Sequence, residues 1–457
     1  MKCSGHIVHH PYVPPTQTLD APYICRLAPS EQAIQLEWFD KRSHAPYTLF
    51  YAKRHSGEWS SVVIEESCIT IGNLSPDTDY ELFIEDATGR RSRTRPARTG
   101  RVPEGTSVIN YLHPEDEQYL FSGKYLCSPS IVRTASGRLI AGMDVFGPSM
   151  GQNTMLLFYS DDDGDHWRYL CDLYPFYWAN LFFHQNAIYV MGVTTEYGNL
   201  QISRSTNDGM TWEDPTTLLY GANLLCATGG VAREPMHLTE FKGRFYTACG
   251  FGSWKSGGHV PCVLSVDVNA DLMVASNWTC SAPLHADERW YNDIGKRGEA
   301  IEGNLVVYPD GKLYDCLRWR RGEMLRLRVD TENPDAPPAF VSIDYAPVSN
   351  SLFRIIPIGK KYLLITNRKS VLYNDFLRNV LSLYESDDLK HFSFIRDIVN
   401  FEEQSPRKYG FQYPSFALHE STLYVTIRSA FNNADSFHNS NYMLFYKTEL
   451  PKERFAL

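Results

Sequence analysis

The chain has no run of five or more like charges, no apolar stretch near bilayer length and no CxxC pair. Each absence removes a class of function. Its formal charge of −9, from 44 basic and 53 acidic residues, leaves no basic footprint for nucleic acid. Apolar stretches such as "TMLLFY" and "AIYVMGV" fall well short of the ~20 residues that span a membrane. The ten cysteines have no zinc-type spacing and several lie in strand-like contexts, so buried free thiols are expected. The opening "MKCSGHIVHHPYVPP" shows no apolar signal region, so a cytoplasmic location is the expectation.

Aromatic residues are abundant: 28 Tyr, 24 Phe and 9 Trp make up 13% of the chain. Such a surplus fits β-structure, and also a cleft in which flat rings stack on the apolar faces of sugars.

After an extension over 1–17, residues 18–100 read as short alternating strands ("AIQLEWF", "YTLFYAK", "WSSVVIE", "CITIGNL", "YELFIED") separated by polar turns. Trp38 and the Leu-x-Pro-x-Thr-x-Tyr stretch from Leu74 to Tyr80, which has the form of a tyrosine corner, resemble a fibronectin type III domain. The arginine-rich "GRRSRTRPARTG" reads as a solvated last strand and linker. With no aromatic platform evident on its strands, the domain is expected to buttress the larger C-terminal part of the chain.

From 101 to 457 the pattern changes to six strand pairs across tight turns: "SIVRTASGRLIAGM", "FFHQNAIYVMGV", "LTEFKGRFYTACG", "LVVYPDGKLYDCL", "RIIPIGKKYLLIT" and "FALHESTLYVTIR". Recurrence of this kind predicts propeller blades. The fold class is therefore all-β: a fibronectin type III-like β-sandwich followed by a six-bladed β-propeller. "SDDDGDHW" (Ser160 to Trp167) recurs as "STNDGMTW" (Ser205 to Trp212) and, degenerately, as "SDDLKHF" (Ser386 to Phe392). Repetition with the blades argues for a turn rather than a catalytic cluster. A calcium loop would want Glu at its twelfth position, where Asp172 stands. No metal or cofactor is implied. The repeat resembles the Asp box of sialidase-like propellers.

That resemblance implies a site. In sialidases three arginines clamp the substrate carboxylate, a Tyr–Glu pair supplies the nucleophile, and an Asp is the acid/base. "EGNLVVYPDGKLYDCLR" places Glu302 and Arg318 on the activating glutamate and one clamp arginine, "RNVLSLYESDD" places Arg378 on another, and "YGFQYPSFAL" places Tyr413 on the nucleophile. Two positions depart from the pattern. Cys127 stands where the first clamp arginine belongs, and "GQNTMLLFYS" offers Gln152 and Asn153 in place of the Asp, the nearest carboxylate being Asp144. Glu234 is a further catalytic candidate, with Arg233, Trp254, His259 and His438 as substrate-binding candidates.

The expected function is carbohydrate-active: an exo-acting glycoside hydrolase on an acidic or deoxy sugar, but not a standard sialidase, with a carbohydrate as partner and neither nucleic acid nor membrane. A polysaccharide lyase acting on a uronate and a non-catalytic carbohydrate-binding propeller are the alternatives.

Overall fold

The computed structural model describes residues 20–455 except 149, 222–228, 233–235, 255–257 and 286–298, and of Gly258 the backbone only. Arg233 and Glu234 lie outside the described residues. No described helix is long and apolar enough to cross a membrane.

Two antiparallel sheets form the N-terminal unit. One orders Tyr23–Pro29, Ile34–Phe39 and Cys68–Ile71; the other orders Ser60–Ile64, Tyr47–Lys53, Asp79–Glu85 and Arg95–Arg98. The strict alternation of Asp79–Glu85 turns Tyr80, Leu82 and Ile84 inward. They join Trp38, which meets Tyr47 edge-on with ring centroids 5.4 Å apart. The Tyr80 hydroxyl accepts the Ser75 N–H at 2.8 Å, tying the turn back as the Leu74–Tyr80 pattern predicts.

Two expectations for this unit need correction. The arginine-rich segment is not simply solvated: Arg95 is 1% exposed and its Nε donates to Asp116 Oδ2 at 2.8 Å. The first three residues of this strand, Arg95 to Ala97, are all buried, Arg95 against the start of the propeller. Nor is an aromatic cluster missing from the surface. Phe50 and Phe83 are cross-strand partners stacked 4.8 Å apart, and exposed Trp59 stands edge-on to Phe83 at 5.1 Å. Each ring alternates with a buried leucine, Leu49 or Leu82, so both point outward. The buttressing contacts are also present: Arg26 Nε donates to the Ile109 carbonyl at 2.7 Å, and Glu37 accepts from Arg168 Nε and the Tyr169 N–H, each at 2.9 Å.

Among the described residues six further antiparallel sheets follow, and the six sequence hairpins are strand pairs within them. The first begins with Tyr125–Arg133, the second with Tyr177–His184, the third with Gly230–Ala232, the fourth with Ile301–Val307, the fifth with Arg354–Ile358 and the sixth with Gly410–His419. The sixth is completed by Thr106–Tyr111, so the strand that precedes the first sheet closes the last. This is a β-propeller: consecutive meander sheets, with the first strand of the first sheet packed between the first strands of the second and the sixth.

The repeated turn is structural. Asp162 Oδ1 accepts the His166 N–H at 2.8 Å, Asn207 Oδ1 accepts the Thr211 N–H at 2.9 Å, and Asp388 Oδ1 accepts the His391 N–H at 2.8 Å. Gly164 holds φ +93°, and a Cβ there would lie 2.2 Å from the Phe445 ring. Trp167 packs edge-on against that same ring at 5.2 Å. The eight described cysteines are all free thiols.

Candidate active site

First strands of four sheets are interrupted at one level. The pairing register shifts around Cys127 and Ser128, around Trp178, around Glu302 and around Tyr413. Trp178, Glu302 and Tyr413 hold positive φ of 47°, 59° and 52°. A bulge with left-handed backbone costs of order 1–3 kcal/mol and re-aims the side chain it carries. Here the bulges bring residues from remote strands to one place.

Tyr413 Oη donates to Glu302 Oε1 at 2.5 Å. Arg318 Nη1 reaches both Glu302 oxygens at 2.9 Å and the Tyr413 Oη at 3.1 Å, while its Nη2 pairs with Glu299. Arg378 and Arg428 place their guanidiniums 5.9 and 5.1 Å from the Tyr413 ring centroid. All of these residues except Glu299 are at most 9% exposed. Burial, and after it the Glu302 charge, hold the Tyr413 phenol above its ordinary pKa against the pull of the three arginines. At neutral pH it is a neutral phenol already bonded to its base.

Arg318 and the other two guanidiniums are in different situations. Arg318 is matched by two carboxylates. Arg378 donates to Gln412 Oε1 at 2.5 Å and to the Asn350 carbonyl; Arg428 donates to Cys127 Sγ at 3.3 Å, Ser440 Oγ at 3.2 Å and the His438 carbonyl at 2.5 Å. Among the described residues neither is hydrogen-bonded to a carboxylate; the charges of Asp144 and Glu302 act on Arg428 and Arg378 from farther away. Burial first, then the other two guanidiniums, press the Arg378 pKa down to about 10 despite nearby Tyr413.

Of the sequence candidates, Glu302, Tyr413, Arg318 and Arg378 therefore converge. His438 adjoins them, its imidazole edge-on to Phe146 at 5.4 Å, its pKa lowered chiefly by Arg428. His259 lines a small cavity together with Glu302, Met236 and Leu317. Half-exposed Trp254 has its ring edge-on to His259 at 4.9 Å and donates its backbone N–H to Tyr197 Oη at 3.0 Å. Tyr197 in turn meets Trp178 at 5.2 Å, which makes an aromatic wall running outward from the bulge. Asp144 is fully buried opposite the bulge at Cys127; burial raises its pKa, against the opposing pull of Ser128, the Trp178 and Ala179 N–H groups and the Arg428 charge.

Two residues join the site that the motif likeness does not single out. Arg428 carries a readable signal, because "LYDCLR" (Leu313 to Arg318) and "LYVTIR" (Leu423 to Arg428) are the same element in the fourth and sixth sheets. It reaches Cys127 at the position where the family's first arginine is lacking. Glu196 carries none, lying in a second-sheet connection. Its Oε2 accepts from Gln152 Nε2 at 3.1 Å, and its charge acts on Tyr177, whose hydroxyl is 3.6 Å from Cys127 Sγ.

Strand bulges that gather a phenol, its carboxylate and three arginines on one face of meander sheets with repeated Asp-type turns define a BNR-type propeller. Residues 181–425, more than half of the chain, match the family described as BNR repeat-like domain, and the chain belongs to that family. No curated protein matches the sequence. Similar solved structures include the Penicillium chrysogenum alpha-L-arabinanase complexed with arabinobiose (12% identity, 76% of this chain and 98% of that one, TM-score 0.48). The GH93 alpha-L-arabinofuranosidase of Fusarium graminearum matches at 9% identity over 77% of this chain and 100% of its own, TM-score 0.47. The K499G mutant of NanB sialidase from Streptococcus pneumoniae matches at 8% identity over 98% and 99%, TM-score 0.47.

Proposed function

We propose that this protein is a glycoside hydrolase that uses Tyr413 as nucleophile on a carboxylate-bearing sugar, built as a six-bladed propeller behind a fibronectin type III-like sandwich. The observation that carries this reading is the pair of buried guanidiniums, Arg378 and Arg428, whose hydrogen bonds go to neutral groups. A buried guanidinium with no carboxylate hydrogen-bonded to it is only partly compensated, here by the more distant charges of Asp144 on Arg428 and Glu302 on Arg378, and an incoming carboxylate relieves that cost while forking onto donors that lysine would not reproduce. A phenol suits such a substrate, because an anionic nucleophile would be repelled by it.

In the proposed step Tyr413 Oη bonds to the anomeric carbon as its proton passes to Glu302 Oε1, 2.5 Å away. Arg318, touching both groups, stabilises the negative charge shared between them. The departing oxygen takes a proton from Glu196 acting as a carboxylic acid, its side chain held by Gln152 where the family's Asp is replaced. A water, giving a proton to Glu196, then attacks the anomeric carbon; the bond to Tyr413 Oη breaks, the phenol takes its proton back from Glu302, and the sugar is released. The aromatic wall of Trp178, Tyr197 and Trp254 receives the apolar face of the ring or its aglycone.

A panel of uronate, ulosonate and neutral aryl glycosides tests this. Release of a reducing sugar from a carboxylate-bearing member, lost in Glu196→Gln and restored there by an aglycone that needs no protonation, supports the reading. Faster turnover of neutral pentosides would overturn the substrate class. An ultraviolet-absorbing unsaturated uronide would make the protein a lyase, and saturable binding with no product a lectin.

A further inference from the structure

The N-terminal unit contains a second polar cluster unrelated to the arginine site. Asp40 follows the strand Ile34–Phe39, His44 lies in the connection to Tyr47–Lys53, and Asp86 follows Asp79–Glu85. Their ligand atoms, one per residue, all lie within 4.8 Å of one another. The Asp86 side chain is 1% exposed, yet only one of its oxygens is used: Oδ1 accepts the Thr88 and Arg90 N–H groups at 2.8 and 3.0 Å. Oδ2 has no hydrogen-bond partner, and neither does His44 Nδ1, which faces it at 3.7 Å. Both atoms are shielded from solvent and point into the same gap. Leaving a buried carboxylate oxygen unmatched costs about 1–3 kcal/mol or more.

We propose that Asp40, His44 and Asp86 form a zinc site tying two loops of the N-terminal unit together. Zinc takes imidazole nitrogen and carboxylate oxygen at about 2.0–2.2 Å, which sets donors roughly 3.3 Å apart around a tetrahedron. Moving His44 Nδ1 and Asp86 Oδ2 inward from 3.7 Å needs only a small rotation of the partly exposed imidazole. Asp40 Oδ2 accepts the His44 N–H at 2.8 Å and the Tyr47 hydroxyl at 3.0 Å, and Oδ1 accepts the Arg42 N–H at 3.0 Å, which leaves one of the carboxylate's roughly four lone-pair sites, on Oδ1, for a metal. Two carboxylates and a neutral imidazole cancel the charge of a divalent ion, and a water completes the fourth position. The imidazole ligand selects zinc over calcium, which prefers an all-oxygen shell.

The test is zinc titration of the chelator-treated full chain by calorimetry, in a His6→Gln/His9→Gln/His10→Gln background that removes the other clustered imidazoles. One zinc per chain is expected, with no calcium binding. His44→Gln and, separately, Asp86→Asn should weaken binding at least tenfold, and zinc should raise the melting temperature of the parent but not of His44→Gln. Absence of saturable zinc binding, or equal binding by parent and both variants, overturns the proposal and leaves His44 and Asp86 a plain ion pair.

Discussion

Asp116→Asn is the substitution that most sharply tests how the N-terminal unit is joined to the propeller. Arg95 and Asp116 are each 1% exposed, paired Nε to Oδ2 at 2.8 Å, and Arg95 also donates to the Ile24 carbonyl at 2.8 Å. The asparagine keeps the shape and removes the charge, so a buried guanidinium loses its counter-ion. Breaking one side of such a pair costs about 3–5 kcal/mol. The thermal signature depends on which part of the chain unfolds. With an unfolding entropy of about 2.1 cal/mol/K per residue, a chain that melts as one unit loses about 1 °C per kcal/mol, and so about 3–5 °C. A sandwich of roughly 80 residues that melts alone loses about 6 °C per kcal/mol, which gives a separate early transition some 20–30 °C lower. Differential scanning calorimetry distinguishes these outcomes. The double variant Arg95→Met/Asp116→Leu, which removes both charges, should recover most of the loss. A melting profile unchanged to within a degree in Asp116→Asn would refute the claim that this pair locks the two parts together.

Other predictions address the site and the blades. Arg428→Lys should lower kcat/KM for the carboxylate-bearing substrate by about 10²-fold while leaving the fold intact by circular dichroism, since an ammonium cannot fork onto a carboxylate. Burial alone raises the fully buried Asp315 carboxyl to about 7, so the folded state holds a proton that the unfolded chain releases near pH 4. Stability from this group is therefore present at low pH and lost as pH rises from about 4 to about 7, by about 4 kcal/mol in all. Asp315→Asn should flatten that part of the pH profile in urea titrations at pH 5 and 7. Gly164→Ala forces an L-residue to φ +93° and drives its Cβ into Phe445, and should cost about 1–3 kcal/mol by chemical denaturation.

Much of this architecture was legible because blades repeat. Hairpin spacing and the three turn motifs mark six sheets, and local alternation marks the sandwich core around Trp38 and Tyr80. Glu302, Arg318, Arg378 and Tyr413 were legible through motif likeness, and their convergence is visible only in three dimensions. The bulges were not legible: a register shift at Glu302 or Tyr413 depends on how neighbouring strands pair, and no residue there announces a positive φ. Arg428 was readable from "LYVTIR", but only its reach to Cys127 distinguishes it from an ordinary strand arginine. Glu196 and the Phe50–Phe83–Trp59 cluster lie in segments whose composition is uninformative, because side-chain direction decides everything there.

The central claim is that Tyr413, with Glu302 as its base, forms the bond to the sugar. Incubation with a fluorinated, carboxylate-bearing glycoside carrying a good leaving group, followed by peptide mass spectrometry, tests it most directly. A single glycosyl adduct on the peptide containing Tyr413, absent in Tyr413→Phe and slowed about 10²- to 10⁴-fold in Glu302→Gln, is the predicted result. An adduct on a carboxylate, or full turnover by Tyr413→Phe, would contradict it.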